Sequence, residues 1–129
     1  VLYCSIFQHP FFPYTRLPEN SDHIVSIPLE ATAKSAEFRS AVNDHWLPAL
    51  ERFQPEMIFV SAGFDAHRDD DMSHLSLVDA DFKWVTEQIV QMAELSASGR
   101  IVSVLEGGYE LQSLAKCVAI HMRVLMGLS

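Results

Sequence analysis

Met57-Ile58-Phe59-Val60-Ser61-Ala62-Gly63-Phe64-Asp65-Ala66-His67 decides how this chain reads, because an apolar run stops at a small residue, a glycine and a carboxylate. The run is short, rich in β-branched and aromatic residues, and free of polar alternation. It predicts a strand over residues 57–61 buried on both faces of a parallel sheet. Asp65 then stands at the strand's carboxyl end, the edge where open α/β sheets bind ligands. Asp65 and His67 lie one residue apart and would leave extended backbone on one face, so they could share a divalent metal. The plainer reading has Asp65 capping the loop and His67 as a satisfied or exposed histidine.

On the amino-terminal side, residues 1–7 predict a strand and residues 8–18 an irregular loop punctuated by Pro10, Pro13 and Pro18. Residues 24–27 predict a short strand closed by Pro28. Phe38, Val42, Trp46, Leu50 and Phe53 recur at helical spacing over residues 34–53, where Pro48 predicts a kink or break. On the carboxyl-terminal side, the run Arg68-Asp69-Asp70-Asp71 reads as a solvated acidic loop. Ser76 and Asp79 have the layout of a capping box opening an amphipathic helix that ends at Ser98-Gly99. A strand over 101–105, a tight turn Glu106-Gly107-Gly108-Tyr109 and a helix over 111–126 stopped by Gly127 complete the pattern. Helix, strand, helix, strand, helix implies an α/β fold with a parallel sheet and flanking helices.

The 129 residues, 49% hydrophobic, suffice for a single unit with its own core. Seventeen acidic against nine basic residues give a net charge of -8, and no Lys/Arg cluster forms a phosphate-tracking stripe, so direct nucleic-acid binding is not expected. No apolar run approaches the roughly 18 residues that cross a bilayer, so no membrane association is expected. A mean hydropathy of +0.11 is high for so short a chain and points to a covered interface. Cys4 and Cys117 show neither a CxxC spacing nor a disulfide framework, and no secretory signal opens the sequence. A reducing, cytoplasmic setting is expected.

Two strands ending in Gly63-Phe64-Asp65 and Gly107-Gly108-Tyr109 would bring a metal-ligand carboxylate and a phenol to one sheet edge. The paired glycines allow close backbone approach to a ligand, and the Tyr109 hydroxyl could donate to developing negative charge. These segments resemble the zinc-dependent histone deacetylase and acetylpolyamine amidohydrolase superfamily, which has the arginase-like three-layer α/β fold. By that resemblance Asp65 is a zinc ligand and Tyr109 the catalytic tyrosine. Phe12 is a wall of the acyl-lysine tunnel, and Gly107 gives close backbone contact along it. The Ser5 hydroxyl and the Ile6 carbonyl match positions that help hold a structural potassium ion. Departures from the family pattern fall at Phe7, Tyr14 and Asp71, and none touches Asp65 or Tyr109.

The resemblance covers essentially the whole chain and corresponds to the carboxyl-terminal part of a deacetylase-like domain. It implies hydrolysis of acetyl-lysine or acetylpolyamine amides. The family's paired histidines and its Asp-x-His zinc ligands precede the region matched here. Asp22-His23 and Asp44-His45 do not have that spacing, and none of the six histidines is assigned a catalytic role. As an isolated polypeptide the chain is therefore expected to be inactive. Two other readings stand beside this one. A self-associating, non-enzymatic module would pair its uncovered strand edges into a homo-oligomer, and an arginase-like manganese hydrolase would need several aspartates at strand ends where only Asp65 is found.

Overall fold

The computed structural model describes residues 1–17 and 19–128, so Pro18 of the proline-punctuated loop lies outside it. The strands are β1 (Tyr3–Gln8), β2 (Ile24–Leu29), β3 (Ile58–Ala62) and β4 (Ile101–Leu105). The helices are α1 (Ser35–Ala41), α2 (Leu47–Phe53), α3 (Asp79–Ser96) and α4 (Leu111–Leu125). β1 pairs in parallel with β2, and β3 in parallel with β4. The α/β class and the parallel pairing match expectation. Among the described residues, however, the strands form two separate pairs rather than one continuous sheet.

Four local expectations change, each for a physical reason. β2 runs through Pro28 instead of stopping before it. The His9 N–H donates to the Leu29 carbonyl at 2.9 Å, while the Ser26 N–H turns away to Asn20 Oδ1 at 2.8 Å. Pro28, two residues after Ser26, falls on that same outward side, where a missing donor removes no ladder bond. Over residues 34–53 the helix widens without breaking. The Leu47 N–H reaches back five residues to the Val42 carbonyl across a π-helical turn, Val42–Trp46, and Pro48 enters α2 just after it.

The capping expectation also moves. The Asp81 carboxylate, not Asp79, accepts the Val78 N–H at 3.0 Å, and the Ser76 N–H instead donates to the Ala33 carbonyl. Asp81 is fully buried and also takes the Ser35 hydroxyl at 2.6 Å and Arg39 Nε at 2.9 Å, which locks α1 to the start of α3. Finally, β3 alternates between partly buried and exposed positions before the buried Ala62, with Phe59 71% exposed, so the reading of a strand covered on both faces does not hold.

The core lies between these elements. Leu29, Phe38, Val42, Ala62, Phe64, Leu75, Leu77, Phe82 and Cys117 form one buried cluster, into which Trp46, Val60, Trp84 and Leu114 pack. Beneath β4 a polar relay crosses it. His121 of α4 contacts Ser103 Oγ at 2.8 Å and Thr86 Oγ1 at 2.9 Å, and the Thr86 hydroxyl donates to the Phe82 carbonyl at 2.6 Å. With that hydroxyl proton committed, His121 Nδ1–H donates to Thr86 and Nε2 accepts from Ser103, a neutral imidazole. Burial lowers the His121 pKa below 6.5 accordingly.

Candidate functional site

Parallel pairing sets the site. Ala62 lies opposite Leu105, so the chain leaves β3 and β4 side by side at the same edge. Two backbone bonds extend the pairing beyond the strands: Glu106 N–H to the Ala62 carbonyl at 3.0 Å and Phe64 N–H to the Gly107 carbonyl at 2.7 Å. Phe64 anchors the turn from below, its ring 5.4 Å from that of Phe82 and 5.8 Å from that of His121. Asp65 is thereby directed upward and out of the core.

The Asp65 carboxylate is half-buried against the backbone of Gly107. A Cβ on Gly107 would stand 2.6 Å from Asp65 Oδ2 and 2.7 Å from Cγ, so only glycine leaves the carboxylate its place. No side chain among the described residues donates to it. Burial raises its pKa above the usual carboxylate value, opposed by a hydrogen bond from its own backbone N–H and reinforced by the Asp70 charge. A desolvated carboxylate with no side-chain partner, in a cradle free of any Cβ, fits one ligand position of a divalent cation. Its chemistry fits the zinc that the resemblance above implies.

Asp70 behaves differently. It is 3% exposed, which corrects the reading of residues 68–71 as a wholly solvated acidic loop. Its Oδ2 accepts the N–H groups of Tyr109 at 2.7 Å and Glu110 at 3.1 Å, and its Oδ1 accepts that of Met72 at 2.9 Å. Burial alone would raise its pKa, but these three backbone donors outweigh burial and hold it below the usual value. Glu110 in turn caps α4, accepting Ser113 N–H at 2.6 Å and Gln112 N–H at 3.2 Å.

A groove of about 690 Å³ opens over this edge, and Ser5, Ile6, Phe12, Asp65 and Tyr109 all line it. Phe12 and Tyr109 are 78% and 59% exposed. Gly107 lies against the Asp65 carboxylate. The loop bearing Phe12 is tied across the groove: the Gln8 carboxamide oxygen accepts the His74 N–H at 2.8 Å, and the Phe11 ring packs edge-on to His74 at 5.5 Å. Ser5 Oγ donates to Ser26 Oγ at 3.0 Å.

His67 points away from Asp65. Its Nδ1 accepts the Asp69 N–H at 3.1 Å, Nε2 bonds Asp79 Oδ1 at 2.9 Å, and its ring stacks on Phe82. The Cys117 thiol, its pKa pushed up to about 12 first by burial and then by Asp79, reaches the same Asp79 oxygen at 3.6 Å. The ligand atoms of His67, Asp79 and Cys117 lie within 4.8 Å of one another, but each has its partner inside the group or in the adjoining backbone. The three form a closed clasp between the Asp65 loop, α3 and α4. Nothing in the residue spacing foretold this clasp, which joins residues 12 and 38 positions apart along the chain.

Neighbouring parallel strands thus deliver a carboxylate and a phenol to one groove, which makes this edge the candidate site. Residues 1–125 match the sequence profile of the histone deacetylase domain, and the chain belongs to the histone deacetylase family. Type-2 histone deacetylase 2 of Dictyostelium discoideum is 39% identical over 107 residues, 81% of this chain and 6% of that protein. The solved HD domain of HDA15 superposes with a TM-score of 0.88 at 26% identity, over 99% of this chain and 38% of that one. Acetylpolyamine aminohydrolase from Burkholderia pseudomallei superposes with a TM-score of 0.79 at 30% identity, over 98% and 37%. The fold is that of the deacetylase structures, and the chain spans well under half the length of these relatives.

Proposed function

We propose that these residues form the substrate-facing, oxyanion-stabilising part of a zinc-dependent amide deacylase, acting on acetyl-lysine or acetylpolyamine amides. One observation carries the reading: a half-buried carboxylate without a side-chain donor and an exposed phenol share one groove at the end of paired parallel strands. Zinc, when bound, supplies Lewis-acid polarisation of the amide carbonyl. Asp65 offers it one ligand oxygen, held upright by the glycine cradle. The Tyr109 hydroxyl donates to the negative charge that develops on the acyl oxygen, a contact whose removal typically costs about 100- to 1,000-fold in rate. Phe12 lines the path of the acyl-lysine chain, and Gly107 keeps the backbone beside that path free of a side chain.

A finer element is potassium. Its support is the alternation along β1, in which Tyr3 donates to the His23 carbonyl just before β2 and His9 to the Leu29 carbonyl within it, so that the even-numbered Ile6 turns its carbonyl to the other side, beside the groove. We read residues 1–129 as one carboxyl-terminal unit of a deacetylase-like domain. A catalytic zinc takes three protein ligands, and Asp65 is the one these residues provide, so the others and the general-base histidines come from outside them. The 129-residue polypeptide alone then holds zinc weakly and does not turn over. A cytoplasmic, reducing setting accords with two free thiols, and no helix among the described residues is long and apolar enough to cross a membrane.

The test is hydrolysis of an acetyl-lysine amide and of an acetylated polyamine, with zinc content measured on the same sample. No turnover and substoichiometric zinc are expected from these residues alone. Equimolar, tightly held zinc with turnover that Tyr109→Phe abolishes would overturn the claim of inactivity. A second reading, self-association, is favoured by the exposure of Phe59, Val102, Val104 and Leu105 on the β3–β4 pair. Sedimentation at high concentration decides it: a clean monomer counts against it.

A further inference from the structure

We propose that Asp70 is a positioning residue that sets the placement of Tyr109 through the backbone. The inference rests on the reading of Tyr109 as the oxyanion donor. Tyr109 has no strand or helix of its own: β4 ends at Leu105 and α4 begins at Leu111. The turn between them contains Gly107 and Gly108, the latter at φ 141°, the least self-restrained backbone available to a chain. Something outside the turn must hold it. The Asp70 carboxylate does so from the loop that begins at Asp65. A single oxygen, Oδ2, accepts the N–H of both Tyr109 and Glu110, while Oδ1 is fixed by Met72 N–H.

Burial and charge make this clamp stiff. Asp70 is 3% exposed, so water competes poorly for its oxygens, and bonds from an N–H to an ionised carboxylate are shorter and stronger than neutral ones. The Asp65 carbonyl accepts the Ser73 hydroxyl at 2.8 Å, which closes the loop on itself just after Asp70. One loop therefore bears the metal-ligand carboxylate at its start and fixes the Tyr109 backbone at its middle. The spacing of Asp65 and Tyr109 across the groove is thereby set within a single rigid unit. Asp70 touches neither zinc nor the acyl group in this scheme and acts through Tyr109 alone.

Amide hydrogen exchange on the 129-residue chain, resolved residue by residue, decides the matter without requiring any deacylase activity. In Asp70→Ala the Tyr109 and Glu110 amides should exchange about 10- to 100-fold faster, the factor expected for one lost charge-assisted hydrogen bond. Amides of α3, such as those of Val85 and Met92, should change only by the global stability difference read from urea unfolding. Asp70→Asn keeps an acceptor oxygen without the charge and should restore part of the protection. It also carries the same comparison if Asp70→Ala does not fold. Unchanged exchange at Tyr109 and Glu110, or acceleration equal at every amide, would overturn the proposal. In a polypeptide showing Tyr109-dependent turnover, Asp70→Ala should lower kcat with KM nearly unchanged, and a raised KM at unchanged kcat would contradict it. Failure to find turnover in any polypeptide with Asp70 intact would contradict the deacylase reading alone, since the exchange comparison stands apart from it.

Discussion

Two regions on either side of Phe64 treat polar groups in opposite ways. Beneath β4, the relay of Ser103, His121, Thr86 and the Phe82 carbonyl leaves no polar atom of the histidine without a partner. Above the strand ends, the Asp65 carboxylate is half-buried and receives no side-chain donor among the described residues. The first arrangement stabilises, because each desolvated group regains a hydrogen bond. The second costs stability and leaves unused binding capacity, the pattern expected of a site that takes a cation from solution. Satisfied polar groups here mark architecture, and the carboxylate without a side-chain donor is the one proposed for chemistry.

The comparison can be broken most forcefully at its hinge. Phe64→Ala removes a ring that is 4% exposed and packs on both Phe82 and His121, and it should cost about 3–5 kcal/mol in urea unfolding. Both regions should loosen together. Thr86→Val leaves His121 Nδ1 without its partner and should cost about 1–3 kcal/mol, with the groove side unaffected by amide exchange. Gly107→Ala does the reverse. Its new Cβ falls on Asp65 Oδ2, so metal affinity measured by cobalt titration should drop about 10- to 100-fold with a smaller change in unfolding.

Acid sharpens the contrast further. The folded pKa of His121 lies below its unfolded value of 6.5 because burial disfavours the imidazolium. The unfolded chain therefore binds the extra proton first. Stability is full above pH 6.5 and declines as the pH falls through and below it, and the urea midpoint of His121→Gln should lose that dependence. The smallest effect is expected at Asp65→Asn, within about 0.5 kcal/mol of the parent or slightly stabilising, because it removes a half-buried charge that has no side-chain donor. A loss as large as that of Thr86→Val would erase the distinction between the two regions.

Much of this was legible in the sequence. An apolar run ended by Gly63-Phe64-Asp65, and a second ended by Gly107-Gly108-Tyr109, suffice to predict two parallel strands and a shared edge. Strand ends carry strong local signals, and β4 falls where the residues placed it. Asp70 was not legible, because within Arg68-Asp69-Asp70-Asp71 nothing local separates the one buried carboxylate from its exposed neighbours. Its role depends on a turn 39 residues away. The clasp of His67 with Asp79 and Cys117 and the relay through His121 were hidden for the same reason. The exposure of Phe59 escaped the period-2 test because Met57 and Phe59 put apolar residues on the face that Ser61 shares, and composition cannot tell a covered face from an uncovered one.

The central claim, that Asp65 is one ligand of a zinc site completed by residues outside these 129, is tested most directly by equilibrium dialysis of the chain against zinc, beside Asp65→Ala. Weak binding that Asp65→Ala abolishes is the predicted result. Tight one-to-one binding that survives Asp65→Ala would place the metal elsewhere in the chain and contradict the account.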